Sequence, residues 1–383
     1  LEAQDKVLVA KAFVESRHGK AKCTQCHGGT EPAGSRAEAH SNLASEPSAV
    51  PRDGGEVAKN VCASCHPGIA KAFATSLHRT TAAVSDARAA VVLARARSED
   101  LAALKPALDN HCSACHITGC GDCHLSRPNW SGGGLVDGHN IRKTPNSITN
   151  CTACHGSRIE KEMMAEAPET VEPRPKADVH WSPKGMQCVA CHKEGPLHGS
   201  GEKAPANRYA DGSAPSCENC HDITKGGQPA HRRHGLNGTS KILLQCQVCH
   251  AQPYNNCYGC HVGKDQKGLS YFKTDRSVFD FKIGRNPYKS TDRPYDYVVV
   301  RHVPVARDTF AYYGQDLLKD FDAVPTFKYA TPHSIARRTA QNASCGACHG
   351  TPSLFLQEKD VPADERTANR DVIVQRLPFP VGR

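Results

Sequence analysis

A chain of 383 residues is long enough for two or three ordinary domains, but this one is 38% hydrophobic and 6% aromatic and carries 31 glycines and 25 prolines. Side chains of that composition bury too little surface to offset the entropy of ordering them, which excludes a large conventional core. The formal charge of +9, from 48 Lys and Arg against 39 Asp and Glu, by itself points toward nucleic acid or anionic membrane, a reading that the cysteines remove.

All twenty cysteines fall in one pattern, Cys-x-x-Cys-His, repeated ten times. Cys23-Cys26-His27 and Cys62-Cys65-His66 come first. The alanine-rich stretch from Ser85 to Leu108 then predicts one or two helices, with Ser98-Glu99-Asp100 as a second N-terminal cap and Pro106 tolerated only near an end. Only Ile117, Thr118 and Gly119 separate Cys112-Cys115-His116 from Cys120-Cys123-His124, so whatever these two motifs hold must lie close together. Cys151-Cys154-His155, Cys188-Cys191-His192 and Cys217-Cys220-His221 follow, joined by Gly-, Pro- and Ser-rich loops. Six residues separate Cys246-Cys249-His250 from Cys257-Cys260-His261. Residues 262–344 lack any motif and hold 13 of the 22 aromatic side chains. Their β-branched and aromatic content predicts short strands or an extended arm, serving either as a packing insert or as a contact surface. Cys345-Cys348-His349 closes the series. The organisation expected is a nine-motif region over 1–261, the aromatic segment 262–344, and the last motif with its tail over 345–383.

Two thiols at this spacing add to the two vinyl groups of one porphyrin, and the imidazole of the next residue then lies under the iron. Zinc ribbons and redox dithiols make no demand on that residue, yet it is histidine ten times out of ten. The pattern therefore predicts ten covalently attached c-type haems, whose apolar bulk replaces the missing core. Two propionates per haem, set against one ferric charge, cancel most of the formal +9. Many Lys and Arg are then propionate partners, and no nucleic-acid partner is expected.

Eleven histidines lie outside the motifs. Ten irons need ten sixth ligands, and the candidates are His18, His78, His111, His139, His180, His198, His231, His234, His302 and His333. His40 sits in a polar stretch, and His231 and His234 are close enough that one is a candidate for surplus. His111, abutting Cys112, is expected to turn away and serve a different haem. The competing thioethers are Met163, Met164 and Met186 alone. Irons closed on both faces by imidazole change charge with little rearrangement and at low potential, which predicts electron transfer and not catalysis. A multihaem reductase of nitrogen or sulfur compounds is the alternative from another class, but none of the ten motifs is altered as an active-site haem would be.

On these motifs, the histidine count and the scarcity of other structure, residues 18–349 resemble multihaem c-type cytochromes of electroactive bacteria, including secreted ones that polymerise into conducting filaments. The stretch "YATPHSIARRTAQNASCGACHG" before the last motif is similar to one in large secreted members. The resemblance implies a multihaem cytochrome c fold, mostly coil with short helices wrapped round a chain of stacked haems and few short strands. It also implies self-association into a filament, redox partner cytochromes, and an extracellular acceptor such as metal oxide, an electrode or a partner cell. A monomeric periplasmic or porin-embedded decahaem shuttle is the alternative placement. With no apolar run long enough to span a bilayer and no cysteine left for a lipid anchor, the chain is expected to be exported, its leader removed before Leu1.

Overall fold

A computed structural model describes residues 9–44, 47–48, 60–80, 92–112, 119–128, 131–205, 208–210, 212, 214–223, 225, 228–234, 243–273, 276–303 and 306–377. Short helices, few short strands and a majority of coil make up the described residues. The chain divides into two units that interleave along the sequence. The first comprises 1–88, 112–156 and 188–211, and the second 89–111, 157–187 and 212–383. Six motifs therefore start in the first unit and four in the second.

Most motifs occupy a single helical turn, because Cys-x-x-Cys puts both thiols on one face. Such turns are seen at Cys23–His27, Gly121–His124, Cys188–Cys191, Cys246–His250 and Cys345–His349. Turns this short depend on their caps. Asn60 accepts from the Cys62 N–H at 2.8 Å, Asn146 from the N–H groups of Ile148 and Thr149, and Ser344 from that of Ala347 at 3.1 Å. Ser216 does the same for Glu218 within the seventh motif. The ninth motif departs from the rule. Cys257 lies in strand β1 (Tyr254–Tyr258) and His261 in β2 (His261–Lys264).

Among the described residues, the buried apolar side chains of the first unit are Ala63, Phe73 and Pro128. The second unit is built differently. Strands β3 (Ser270–Lys273) and β4 (Arg276–Asp280) pair antiparallel with β2 and β1, while β5 (Ile283–Arg285), β6 (Tyr297–His302) and β7 (Phe327–Tyr329) form a three-stranded antiparallel sheet. Val248, Tyr254, Phe281, Ile283, Val299, Phe355 and Val374 pack together against it. Gly284 on β5 is required by close approach, since a Cβ there would meet Val300 Cγ1 at 2.8 Å. Gln245 ties the eighth motif to the same sheet, donating to Ala330 O and accepting from the Val299 N–H, each at 2.8 Å. The aromatic segment thus forms strands, as its composition predicts, and packs with the motifs on either side of it.

The alanine-rich stretch is described from residue 92 onward, and the expected helix over Ser85–Val91 lies outside the described residues. A helix runs from Leu101 to Ala107 with Pro106 at its penultimate position. Asp100 caps it in position but not by side chain, because its carboxylate is drawn to Lys319 Nζ at 2.8 Å. Arg95, fully buried, donates to the carbonyls of Phe321, Val324 and Pro325. Glu162 and Arg301 form a second buried anchor, with Glu162 also accepting from the His333 N–H at 2.9 Å. Burial lowers the Arg301 pKa to about 9, which leaves it charged at neutral pH. Glu162→Ala is therefore expected to strand a buried cation and to cost the second unit roughly 3 kcal/mol in denaturant unfolding.

Candidate functional site

Histidines distant in sequence meet in pairs, one from a motif and one from outside. In the first unit the pairs are His66 with His18, His27 with His139, His155 with His78, and His124 with His198, at ring-centroid separations of 6.1, 5.9, 6.3 and 6.0 Å. In the second they are His221 with His180, His250 with His231, and His349 with His234, at 6.0, 6.2 and 6.0 Å. Direct ring stacking would be tighter. A metal–imidazole bond of about 2 Å on each side, plus about 1 Å from nitrogen to ring centre, sets the centroids of two axial ligands roughly 6 Å apart. The side chains present therefore fit an iron porphyrin held between each pair.

Protonation agrees with that fit. An axial ligand must be neutral, with Nε2 free and Nδ1 held by a donor contact. His124 Nδ1–H donates to Arg142 O at 2.7 Å, His234 Nδ1–H to Ala230 O at 2.8 Å, and His250 Nδ1–H to Ala336 O at 3.2 Å, while His180 Nδ1 faces Asp178 Oδ1 at 3.1 Å. Burial, helped by the neighbouring imidazoles of His155, His192 and His198, pulls His78 down to about 4. Burial likewise lowers His192, lowers His198 with help from His124, and lowers His231 with help from His250 and His234.

Cysteine exposure points the same way. Thiols are normally among the most buried side chains, yet Cys23, Cys26, Cys65, Cys191, Cys220 and Cys345 are exposed. They form a surface that a bound group would cover. Contacts between cysteines also order the motifs. Cys62 is hydrogen-bonded to Cys120, Cys151 to Cys188, and Cys217 to Cys246, the first-named thiol of the first two pairs pushed up and its partner down. Cys26 interacts with Cys62 and Cys65, Cys123 with Cys154, and Cys249 with Cys348. The first unit thus runs motif one, two, four, five, six, and the second runs seven, eight, ten.

His231 stands opposite His250 of motif eight and His234 opposite His349 of motif ten. Two expected distal ligands, His302 and His111, have other hydrogen-bond partners. His302 is 1% exposed, its Nε2 lies 2.7 Å from Glu365 Oε2, and its Nδ1 contacts Cys257 O. His111 Nε2 meets Tyr313 Oη at 2.7 Å. In both rings the nitrogen that would bind iron is taken, because a buried imidazole needs its own hydrogen-bond partners. Nothing in sequence marked Glu365 or Tyr313 as those partners. His40 lines a cleft with Cys23 and His27. The backbone of His333 is fixed by Glu162, and His261 Nδ1 lies 3.8 Å from Asp308. Cys115 and His116 lie outside the described residues.

Ring orientation adds a spectroscopic expectation. The planes of His124 and His198 differ by 19° and those of His234 and His349 by 21°, whereas His78 and His155 cross at 85° and His231 and His250 at 75°. Aligned imidazoles split the iron π-orbitals, and crossed ones leave them nearly degenerate. Ferric paramagnetic resonance should show rhombic low-spin signals from the first two sites and highly anisotropic ones from the others, each assigned by its loss in a single-histidine variant.

No helix of the described residues is long and apolar enough to cross a membrane. No curated protein and no solved structure matches the chain. Residues 61–156, which hold the second to fifth motifs, match the family model described as cytochrome c554 and c-prime, and this match supports a c-type multihaem cytochrome, a class whose members carry electrons.

Proposed function

We propose that the chain carries electrons among ten covalently bound haems, acting outside the cell as a conduit that self-associates into a filament and delivers to an extracellular acceptor such as metal oxide, an electrode or a partner cell. The observation that carries the electron-transfer reading is the set of seven opposed imidazole pairs at about 6 Å among the described residues. When bound, the iron porphyrins supply the redox centres. The protein's part is to hold the irons at the paired sites between two neutral imidazoles, so that little moves when their charge changes, and to set successive motifs beside one another. Contiguity of motifs within each unit and one motif per 38 residues or so support the conduit. Intact mass spectrometry should return the polypeptide plus ten tetrapyrroles, and a spectroscopic titration should reduce all of them at low potential. A mass lacking several tetrapyrroles would remove the proposal's foundation. Imaging that found monodisperse particles at every concentration would remove the filament.

With His111 and His302 held by Tyr313 and Glu365, nine histidines outside the motifs remain for ten irons. One iron is therefore left without a second imidazole from its own chain. Carbon monoxide added to the reduced protein is expected to bind one site per chain. Saturation at zero would show all ten to be closed.

A further inference from the structure

The turn that leads into the fifth motif buries polar side chains and leaves an apolar one outside. Ser147 and Asn150 are 1% and 6% exposed, while Ile148 between them is 41% exposed. A buried polar side chain is the informative exception to the hydrophobic pattern, because it persists only where partners satisfy it. Residues Ser147–Cys151 form a π-turn, in which the Cys151 N–H reaches back to Asn146 O at 3.4 Å. Turns of this kind recur at functional positions.

Both side chains reach neighbouring motifs. Asn150 Nδ2 donates to the carbonyls of Asp122 and Ser126, each at 2.9 Å, and these two carbonyls bracket Cys123 and His124 of the fourth motif. Asn150 Oδ1 accepts from the Asn146 N–H at 3.3 Å and from Thr149 Oγ1 at 3.2 Å. All four hydrogen-bonding positions of the amide are thereby filled, and in one orientation, since the reversed amide would set its oxygen against two carbonyls. Ser147 Oγ accepts from the N–H of Cys188, the first cysteine of the sixth motif, at 3.1 Å. One turn of chain thus ends in motif five, grips motif four with one side chain and motif six with another. The cysteines meet at the same two junctions, Cys123 with Cys154 and Cys151 with Cys188.

We infer that Asn150 and Ser147 are positioning residues for electron transfer through the fifth motif, Asn150 fixing its junction with the fourth and Ser147 its junction with the sixth. The inference rests on the electron-carrier reading above. Electronic coupling between two redox centres decays exponentially with the gap between them, so a junction that loses its clamp slows while the chain stays folded. The test is ferric paramagnetic resonance of the oxidised holoprotein, where the exchange interaction between adjacent irons decays with separation as tunnelling does. The interactions of site five with sites four and six are assigned by their disappearance in Cys120→Ala/Cys123→Ala and in Cys188→Ala/Cys191→Ala. Asn150→Ser is expected to weaken the four–five interaction at least roughly tenfold and to leave five–six within about twofold, and Ser147→Ala to do the reverse. A general loss of stability would not separate the two junctions. Equal weakening of both by either variant overturns the inference, and so does loss of the low-spin signal of motif five itself, which would show that these residues hold the site and not its junctions. Wild-type protein without interaction between any adjacent irons sinks the carrier reading. Interactions that are present but indifferent to both variants sink the positioning role alone.

Discussion

His18→Ala is expected to convert one iron per chain from low-spin to high-spin, because the imidazole lost stands 6.1 Å across from His66 with the spacing of a paired axial ligand. The same outcome is expected of His231→Ala and His234→Ala, one site each, since they oppose His250 and His349. His302→Ala and His111→Ala should add no high-spin signal. Their effect is on folding. Removing His302 leaves Glu365 buried with Thr326 Oγ1, 2.5 Å away, and fewer partners, a loss of roughly 1–3 kcal/mol for a hydrogen bond to a charged group. Ferric paramagnetic resonance with spin counting separates the two classes. A high-spin centre appearing in His302→Ala would restore that residue as a ligand and undo the histidine count.

The second large effect concerns what fills each unit. Cys62→Ala/Cys65→Ala should abolish attachment at the second motif and cost the surrounding residues 60–80 and 119–128 about a hundredfold in amide-exchange protection, roughly 3 kcal/mol of local stability. The expectation follows from how few apolar side chains are buried there, namely Ala63, Phe73 and Pro128. Cys345→Ala/Cys348→Ala should leave protection of the β5–β6–β7 sheet within about tenfold of wild type. That sheet is held by Ile283, Val298, Val299 and Val300 and by Gln245, which remain whether or not the tenth motif is loaded. Equal losses in the two units would show that the side-chain core of the second is not self-sufficient. The contrast also corrects a reading from composition. Averaged over the whole chain, scarce apolar residues suggest that cofactor supplies the entire interior, but the shortage is confined to the first unit.

How far sequence reaches is clearest in the histidines. The ten motifs are legible without a structure, because covalent attachment and the proximal ligand depend on residues within one turn of chain, and the caps Asn60, Asn146, Ser216 and Ser344 stand in sequence just before the turns they close. The strand content of the aromatic segment and the helix ending near Pro106 are likewise local matters of propensity and ring geometry.

Which histidine opposes which motif is not local. His18 and His66, or His78 and His155, are brought together by the path of the whole unit, and no spacing rule connects them. The same holds for the partners of His302 and His111. Their fate is decided by Glu365 and Tyr313, dozens to hundreds of residues away, because a buried imidazole takes whichever partner the fold sets against its nitrogen. Sequence by itself determined the cofactor and its attachment, since that chemistry needs only neighbours along the chain. Tertiary structure alone decided which histidines stand opposed, the order of the motifs and where a side-chain core exists, since each is a contact between residues whose separation along the chain carries no information about their distance in space.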